Sequence, residues 1–492
     1  MSTTQQPESD RVWSIELNGI NPIKEEERHG RPFELFWIWF ASNIGILGVV
    51  YGAQFLAGNG LNLWQGLIVG LLATAISFLF VGILSVPGVR GGAPMLTLSR
   101  AVFGTRGNIG PTLVSWISLV GWETILVITS TYALLALLRV FGIETNSFWT
   151  LVSIIVLAAA VVACGYWGHA TLVWLQRAAT WIFGILTIVI VAFLIPQTDW
   201  GKIFSAPPGP WDTGVITAFV VVMAGTGIGW INAGADYARY LPQKSSANAI
   251  TIWTLLGGTL PLYALMIVGV LLASHNSNVL DYNADPLATI QQALPNWLAV
   301  PYLLTAIGGL LAGAALDIYS SGLNLLAVGV RLKRQYAVLI DGVLMIIGSI
   351  YVLLVRNDFQ GALYSFLLLL AAGLTVWAAI FLIDMIWRRS YDTESLTNLG
   401  PTSSYYYTFG FNIPAFVAWL IGIAVGLLFT KSAFFTGPLA QVSSLFANTN
   451  LGYLLGAGVS IVLYLVLRLA FPYRETTTAQ VAVTQETPSS VS

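Results

Sequence analysis

Charge is scarce in this chain of 492 residues: Asp, Glu, Lys and Arg together supply 9%. Soluble domains carry about 25%, and a chain this long with so little charge would not stay in solution. The formal net charge is −1, so no basic field draws phosphate backbones, which excludes a nucleic-acid partner. The single cysteine, Cys164, excludes an internal disulfide and a cysteine-rich metal site. Histidine is almost as rare. His29, His169 and His275 have no metal-ligand spacing, so no metal is expected. There is no phosphate loop, nucleophile elbow or dinucleotide fingerprint, so nothing points to an enzyme or to a nucleotide-driven pump. What is abundant is apolar side chain, 56% of the total, gathered in long runs. These runs define a polytopic membrane protein whose first partner is the lipid bilayer.

Twelve apolar stretches of about 20 residues, the length that crosses a bilayer, lie between residues 33 and 471. None alternates with period two, so helices are expected and not barrel strands. Residues 1–32 read as a cytoplasmic N-terminal tail, with the run Lys24–Arg28 as a solvated charged face and no cleavable signal peptide. Residues 475–492, rich in Ser, Thr and Gln, read as a second cytoplasmic tail. With the N-terminus inside, 17 of the 21 Lys and Arg fall on the inner side. Arg139, Lys202, Arg356 and Lys431 fall outside. The positive-inside rule therefore supports both the count and the orientation.

Two spans carry dense glycine. The first has Asn43, Gly45, Gly48 and Gly52; the sixth has Gly225, Thr226, Gly227, Gly229, Asn232 and Gly234. Breaks at membrane depth are tolerated where backbone lines a cavity or is buried in protein. Their separation by five spans is that of an inverted repeat, 33–196 against 212–387, with 411–471 appended and a binding site between the broken helices. The competing reading is that these glycines only permit close helix packing.

Two acids fall near mid-span, Glu123 in the third and Asp317 in the eighth, with no Lys or Arg at their depth. An intramembrane acid marks an ion or substrate path by default. A carboxyl that changes protonation can carry a proton or hold a donor-rich ligand; the alternative is a permanently neutral acid bonded to backbone. Asp236 next to Arg239, Asp341 after Arg331, Lys333 and Arg334, and Asp384 one turn before Arg388 read more simply as ion pairs near the inner face. Trp122 and Trp230 sit at mid-span depth beside these features. Two π faces near a carboxyl and broken backbone suit a planar heteroaromatic ligand.

Four segments carry a resemblance. They are GVRGGAPMLTLSRAVFGTRGNIGP (Gly88 to Pro111), GWE (Gly121 to Glu123), NAGADYARYLP (Asn232 to Pro242) and LDIYSSGLNLLAVG (Leu316 to Gly329). Together they resemble the nucleobase–cation symporter-1 family, permeases of cytosine, purines, allantoin and hydantoins. The cytosine–purine branch is most similar in Tyr319–Ser320 and the DYARYLP stretch. The resemblance implies the five-plus-five inverted-repeat fold of the leucine transporter with two further helices. It implies that Trp122 stacks on the ligand. The family's second aromatic, nine residues before the aspartate of the D-[YF]-x-R motif, falls on Gly227 here, and Trp230 one turn on can stand in. The family's polar residue of helix 8, usually asparagine, falls on Asp317. Sodium-coupled members use hydroxyls before that position; here Gly308 to Ala315 contains none.

These readings converge on an all-α plasma-membrane carrier that imports a nucleobase or related small heterocycle with a co-transported proton. Sodium coupling, or an amino-acid or osmolyte carrier on the same fold, stays open. The candidate substrate site is Gly48, Trp122, Glu123, Thr226, Gly227, Trp230 and Asp317. Coupling is assigned to Glu123 and Asp317, with Gly45. The loop from Arg90 to Asn108 is an inner gate or scaffold.

Overall fold

A computed structural model describes residues 12–13, 15–275, 295–356 and 359–471. The expected C-terminal tail, 475–492, lies outside them. The first span is two helices, α1 (Glu34–Ser42) and α2 (Leu47–Ala57), bent by 59° at the break. Then follow α3 (Leu63–Gly91), α4 (Ile109–Val140), α5 (Ser147–Trp167) and α6 (His169–Leu194). The sixth span is in pieces: α7 (Ile216–Gly225), α8 (Gly227–Trp230) and α9 (Gly234–Ala238). After it come α10 (Ala247–His275), α11 (Asn296–Ala327), α12 (Arg334–Ile350), α13 (Phe359–Trp387), α14 (Ile413–Leu428) and α15 (Gly452–Ala470).

Among the described residues, ten helices are long and apolar enough to cross a membrane, and the bent α1–α2 pair makes an eleventh. The stretch expected to form another span, 411–431, yields only the 16 residues of α14. At 1.5 Å per residue that is about 24 Å, short of the ~30 Å of a bilayer core.

Helix ends follow local chemistry. Asn62 caps α3 in a capping box with Gln65, and Gly92, at φ 65°, lets the chain turn away at the other end. Close packing uses small residues, as in other membrane bundles. A Cβ on Gly257 would lie 2.8 Å from the Phe36 carbonyl oxygen, and one on Gly48 would lie 2.7 Å from Leu265 Cβ, so α10 lies directly against the broken first span. The exposed face of α6 is Trp174, Trp181, Ile182, Ile185 and Ile188, an apolar surface suited to lipid.

The connections after α3, α5, α9, α11 and α13 gather at one end, where the Lys and Arg excess lies. Arg100 there donates to the carbonyls of Leu396 and Ala327, both at 2.7 Å. The segment after α3 is a scaffold: Asn108 donates to the Leu96 carbonyl, Trp377 donates to Ser99, and Met95 N–H donates to Asp236 Oδ1 at 2.7 Å. The N-terminal segment, expected to be a tail, is packed along this same end. His29 N–H donates to the Tyr240 carbonyl and Ile23 N–H to that of Gly92.

Candidate functional site

The helix breaks enclose a cavity. Its wall is Ser42, Asn43, Gly45 and Leu47 from the first break, Gly225 and Trp230 from the sixth span, Trp122 and Leu126 from α4, Gly309 and Leu310 from α11, and Leu262 from α10. Three expected residues, Gly45, Trp122 and Trp230, therefore meet here. Trp122 is packed edge-on against Phe366 and Trp230 edge-on against Trp39. Gly229 leaves room for the first indole: a Cβ there would come within 2.9 Å of Trp122 Nε1. Asn43 donates to the Trp39 carbonyl at 2.8 Å and to Ser42 Oγ at 3.1 Å, which fixes a carboxamide on the wall.

The cavity holds about 40 Å³. A water needs roughly 10–15 Å³, so it admits a few waters, and a ring ligand requires it to widen. A larger vestibule of about 300 Å³ opens toward Lys431, Asn59 and Asn450, at the opposite end from the basic connections. Its inner wall includes Tyr51, whose hydroxyl donates to the Gly225 carbonyl at 3.3 Å. Gly225 also lines the central cavity, so the Tyr51 hydroxyl links the walls of the two spaces.

Other expected residues lie elsewhere. Thr226 Oγ1 is 3.0 Å from Ser77 Oγ, and Gly227 N–H donates to the same hydroxyl at 3.2 Å. Gly48 and Gly227 are contact points for α10 and α3, the packing role of glycine. Among the described residues, the expected ion pairs of Asp236 and Asp341 are absent. Arg239 instead meets Glu16, and Arg334 donates to the carbonyls of Gly165 and Tyr166 at 2.7 and 2.9 Å. Asp384 does pair with Arg388, at 2.6 Å, and also with Arg468 at 3.0 Å.

Glu123 and Asp317 are buried but are not on the cavity wall. Neighbours on an α-helix point about 100° apart, so Trp122 facing the cavity turns Glu123 away from it. Ser321 Oγ lies 2.6 Å from Glu123 Oε1 and 2.8 Å from Asp341 Oδ2. Trp116 Nε1 donates to Asp341 Oδ1 at 2.8 Å. Asp317, with 1% of its surface exposed, has no hydrogen-bond partner on either carboxyl oxygen among the described residues. Sequence reading missed Ser321 and Asp341 as members of this cluster; the unpaired Glu123 two turns from Trp116 was the only signal. In α11, Gly309 meets the Ile44 carbonyl so closely that a Cβ would lie 2.5 Å from it. The absence of hydroxyls in that stretch thus goes with direct backbone packing.

Residues 22–456 match the family model described as permease for cytosine/purines, uracil, thiamine, allantoin. The chain belongs to this permease family. Among curated proteins, the permease is 26% identical over 466 residues to the putative purine-cytosine permease YxlA of Bacillus subtilis, covering 92% of this chain and 96% of the other. It is 22% identical to the purine-cytosine permease FCY2 of Saccharomyces cerevisiae, covering 92% and 86%. Among solved structures, the nucleobase-cation-symport-1 family transporter Mhp1, closed with bromovinylhydantoin bound, superposes with a TM-score of 0.73 at 19% identity, covering 94% of this chain and 98% of that one. The permease therefore has that transporter's fold, with five-plus-five helices around the two broken spans, and is a multi-pass membrane protein.

Proposed function

We propose that the permease imports a nucleobase or related nitrogen heterocycle across the cell membrane by ion-coupled symport. The carrying observation is that two indoles, Trp122 and Trp230, share one cavity at the break between the halves of the first and sixth spans. A planar ring between them gains apolar contact on both faces. The Asn43 carboxamide, the Ser42 hydroxyl and backbone groups around Gly45 and Gly225 read its polar edge. The vestibule by Lys431 receives substrate, and rocking of the broken spans against the rest delivers it to the other side. Both termini are cytoplasmic in this reading, since the Lys and Arg excess marks their face.

The coupled ion is a proton. A hydroxyl has one hydrogen to donate, yet Ser321 Oγ contacts two carboxyl oxygens at hydrogen-bond distance. Ser321 Oγ also lies 3.3 Å from the Ile318 carbonyl oxygen, and a proton on Glu123 or Asp341, donated to Ser321, supplies the hydrogen that the single hydroxyl lacks. The cluster is a one-proton store next to the stacking residue Trp122, so filling the cavity and filling the store are mechanically linked. Asp317 is the second candidate carrier. Purified protein in vesicles, given radiolabelled cytosine, adenine, hypoxanthine and hydantoin, tests this. Accumulation driven by an inward pH gradient without sodium is expected. Accumulation driven by sodium alone would overturn proton coupling, and uptake of amino acids in place of bases would overturn the substrate class.

A further inference from the structure

Glu16 is 3% exposed although it lies 18 residues before the first span begins at Glu34. Its Oε1 accepts from Arg239 Nη2 at 2.5 Å, from the Tyr240 hydroxyl at 2.7 Å and from the Tyr319 hydroxyl at 3.2 Å. Its Oε2 accepts from the backbone N–H of His169 at 3.1 Å. Its own N–H donates to the Trp167 carbonyl at 3.0 Å. Arg239 Nη1 returns to the same segment at the Gly19 carbonyl, 2.6 Å away. Gly168 has φ +112°, and a Cβ there would lie 2.6 Å from Glu16 Cβ, so the turn between α5 and α6 is glycine where this side chain passes.

The partners divide in an informative way. Arg239 and Tyr240 follow α9, the last piece of the broken sixth span. Tyr319 is in α11, and Trp167 and His169 flank the α5–α6 turn. One carboxylate therefore ties the end of the broken sixth span to α5, α6 and α11. It does so at the end opposite the vestibule, where access must open for release. Alongside, a cavity of about 510 Å³ is lined by residues 16–21 and by Arg331, Lys333 and Arg334 among others, so open space adjoins the segment there.

We propose that the segment around Glu16 is an intramolecular latch that holds the inner side shut, and that it must leave the Arg239–Tyr240–Tyr319–His169 cage before substrate is released inward. For its consequence in transport this rests on the permease reading; the accessibility it controls does not. Glu16→Gln keeps the shape and loses the charge that Arg239 requires. Losing a bond made in only one of two states shifts their populations. In Glu16→Gln we expect a rise of at least about tenfold in two readouts that need no substrate. One is labelling by a membrane-impermeant maleimide from the cytoplasmic side at Ala233→Cys, with Cys164→Ser as background. The other is hydrogen exchange of residues 231–242. External KM rises, because the outward-facing population falls. Tyr319→Phe, which removes one donor and keeps the ring, should move all three readouts in the same direction by less. Unchanged labelling and exchange in either variant, at unchanged melting temperature, would overturn the latch. If Glu16→Gln does not fold, Tyr319→Phe decides alone. Raised labelling without transport of any base would leave the latch standing and remove the substrate assignment.

Discussion

Ser321 Oγ lies 2.6 Å from Glu123 Oε1, deep between α4 and α11. The same oxygen lies 2.8 Å from Asp341 Oδ2 in α12. Three helices are thus joined through one hydroxyl, with Trp116 fixing the far carboxyl. If this chain stores the transported proton, Asp341→Asn should abolish pH-driven accumulation and leave substrate counterflow running. Ser321→Ala should shift the pH dependence of uptake and leave binding in place. Equal loss of counterflow in Asp341→Asn would mean that the cluster shapes the site and does not couple it.

Trp122→Ala should remove saturable uptake while the protein still reaches the membrane. A stacked ring partner contributes about 1–3 kcal/mol with nucleobases, which is roughly 5- to 150-fold in affinity. Thermal-shift titration with adenine and cytosine reads this directly. Unaltered ligand shifts would exclude stacking on Trp122.

Tyr51→Phe removes the hydrogen bond that links the vestibule wall to the Gly225 carbonyl of the cavity wall and keeps the ring. A single neutral hydrogen bond contributes about 0.5–1.5 kcal/mol. Entry from the vestibule should become faster by up to about tenfold, seen as a higher on-rate in stopped-flow tryptophan quenching.

Asp384→Ala should lower the melting temperature in detergent without selective effect on KM. Asp384, in α13, joins Arg388 just past the end of that helix to Arg468 and Tyr464 in α15, far from the cavity. Removing one partner of a buried pair costs about 3–5 kcal/mol.

The latch has a defined pH window. Burial pushes the Glu16 carboxyl up, but Arg239, Arg334, the Tyr240 hydrogen bond and His169 together outweigh it and hold it below the ordinary glutamate value. A depressed value in the folded protein means that its stabilisation is fully present above the unfolded value of about 4.3 and is lost as pH falls through the folded one. Labelling at the inner face should therefore stay low from about pH 8 to 5 and rise only under stronger acid. Opening between pH 7 and 6 would assign the latch to another group.

Much of the fold was legible in the chain because a bilayer leaves few solutions. Long apolar runs must be helices, and glycine clusters five spans apart in a chain otherwise built for continuous helices mark breaks. Trp122, within one of the four family-like segments, and Trp230, beside the glycine run of the sixth span, pointed to the cavity. What the chain could not convey is direction around a helix axis over long separations. Trp122 and Glu123 are neighbours in sequence, and only the packing of α4 against α11 turns one to the cavity and the other to Ser321. Asp341 looked like a partner for nearby arginines because sequence shows proximity along the chain; the fold gave it an indole and a serine. Arg239 found its carboxylate 223 residues away in Glu16. Composition and period determined a helical membrane protein, glycine clustering suggested its broken spans, and the family-like segments implied a carrier. Tertiary structure alone decided which side chains line the cavity, which acids meet at Ser321 and which carboxylate receives Arg239, because those outcomes depend on side-chain directions that only packed helices fix.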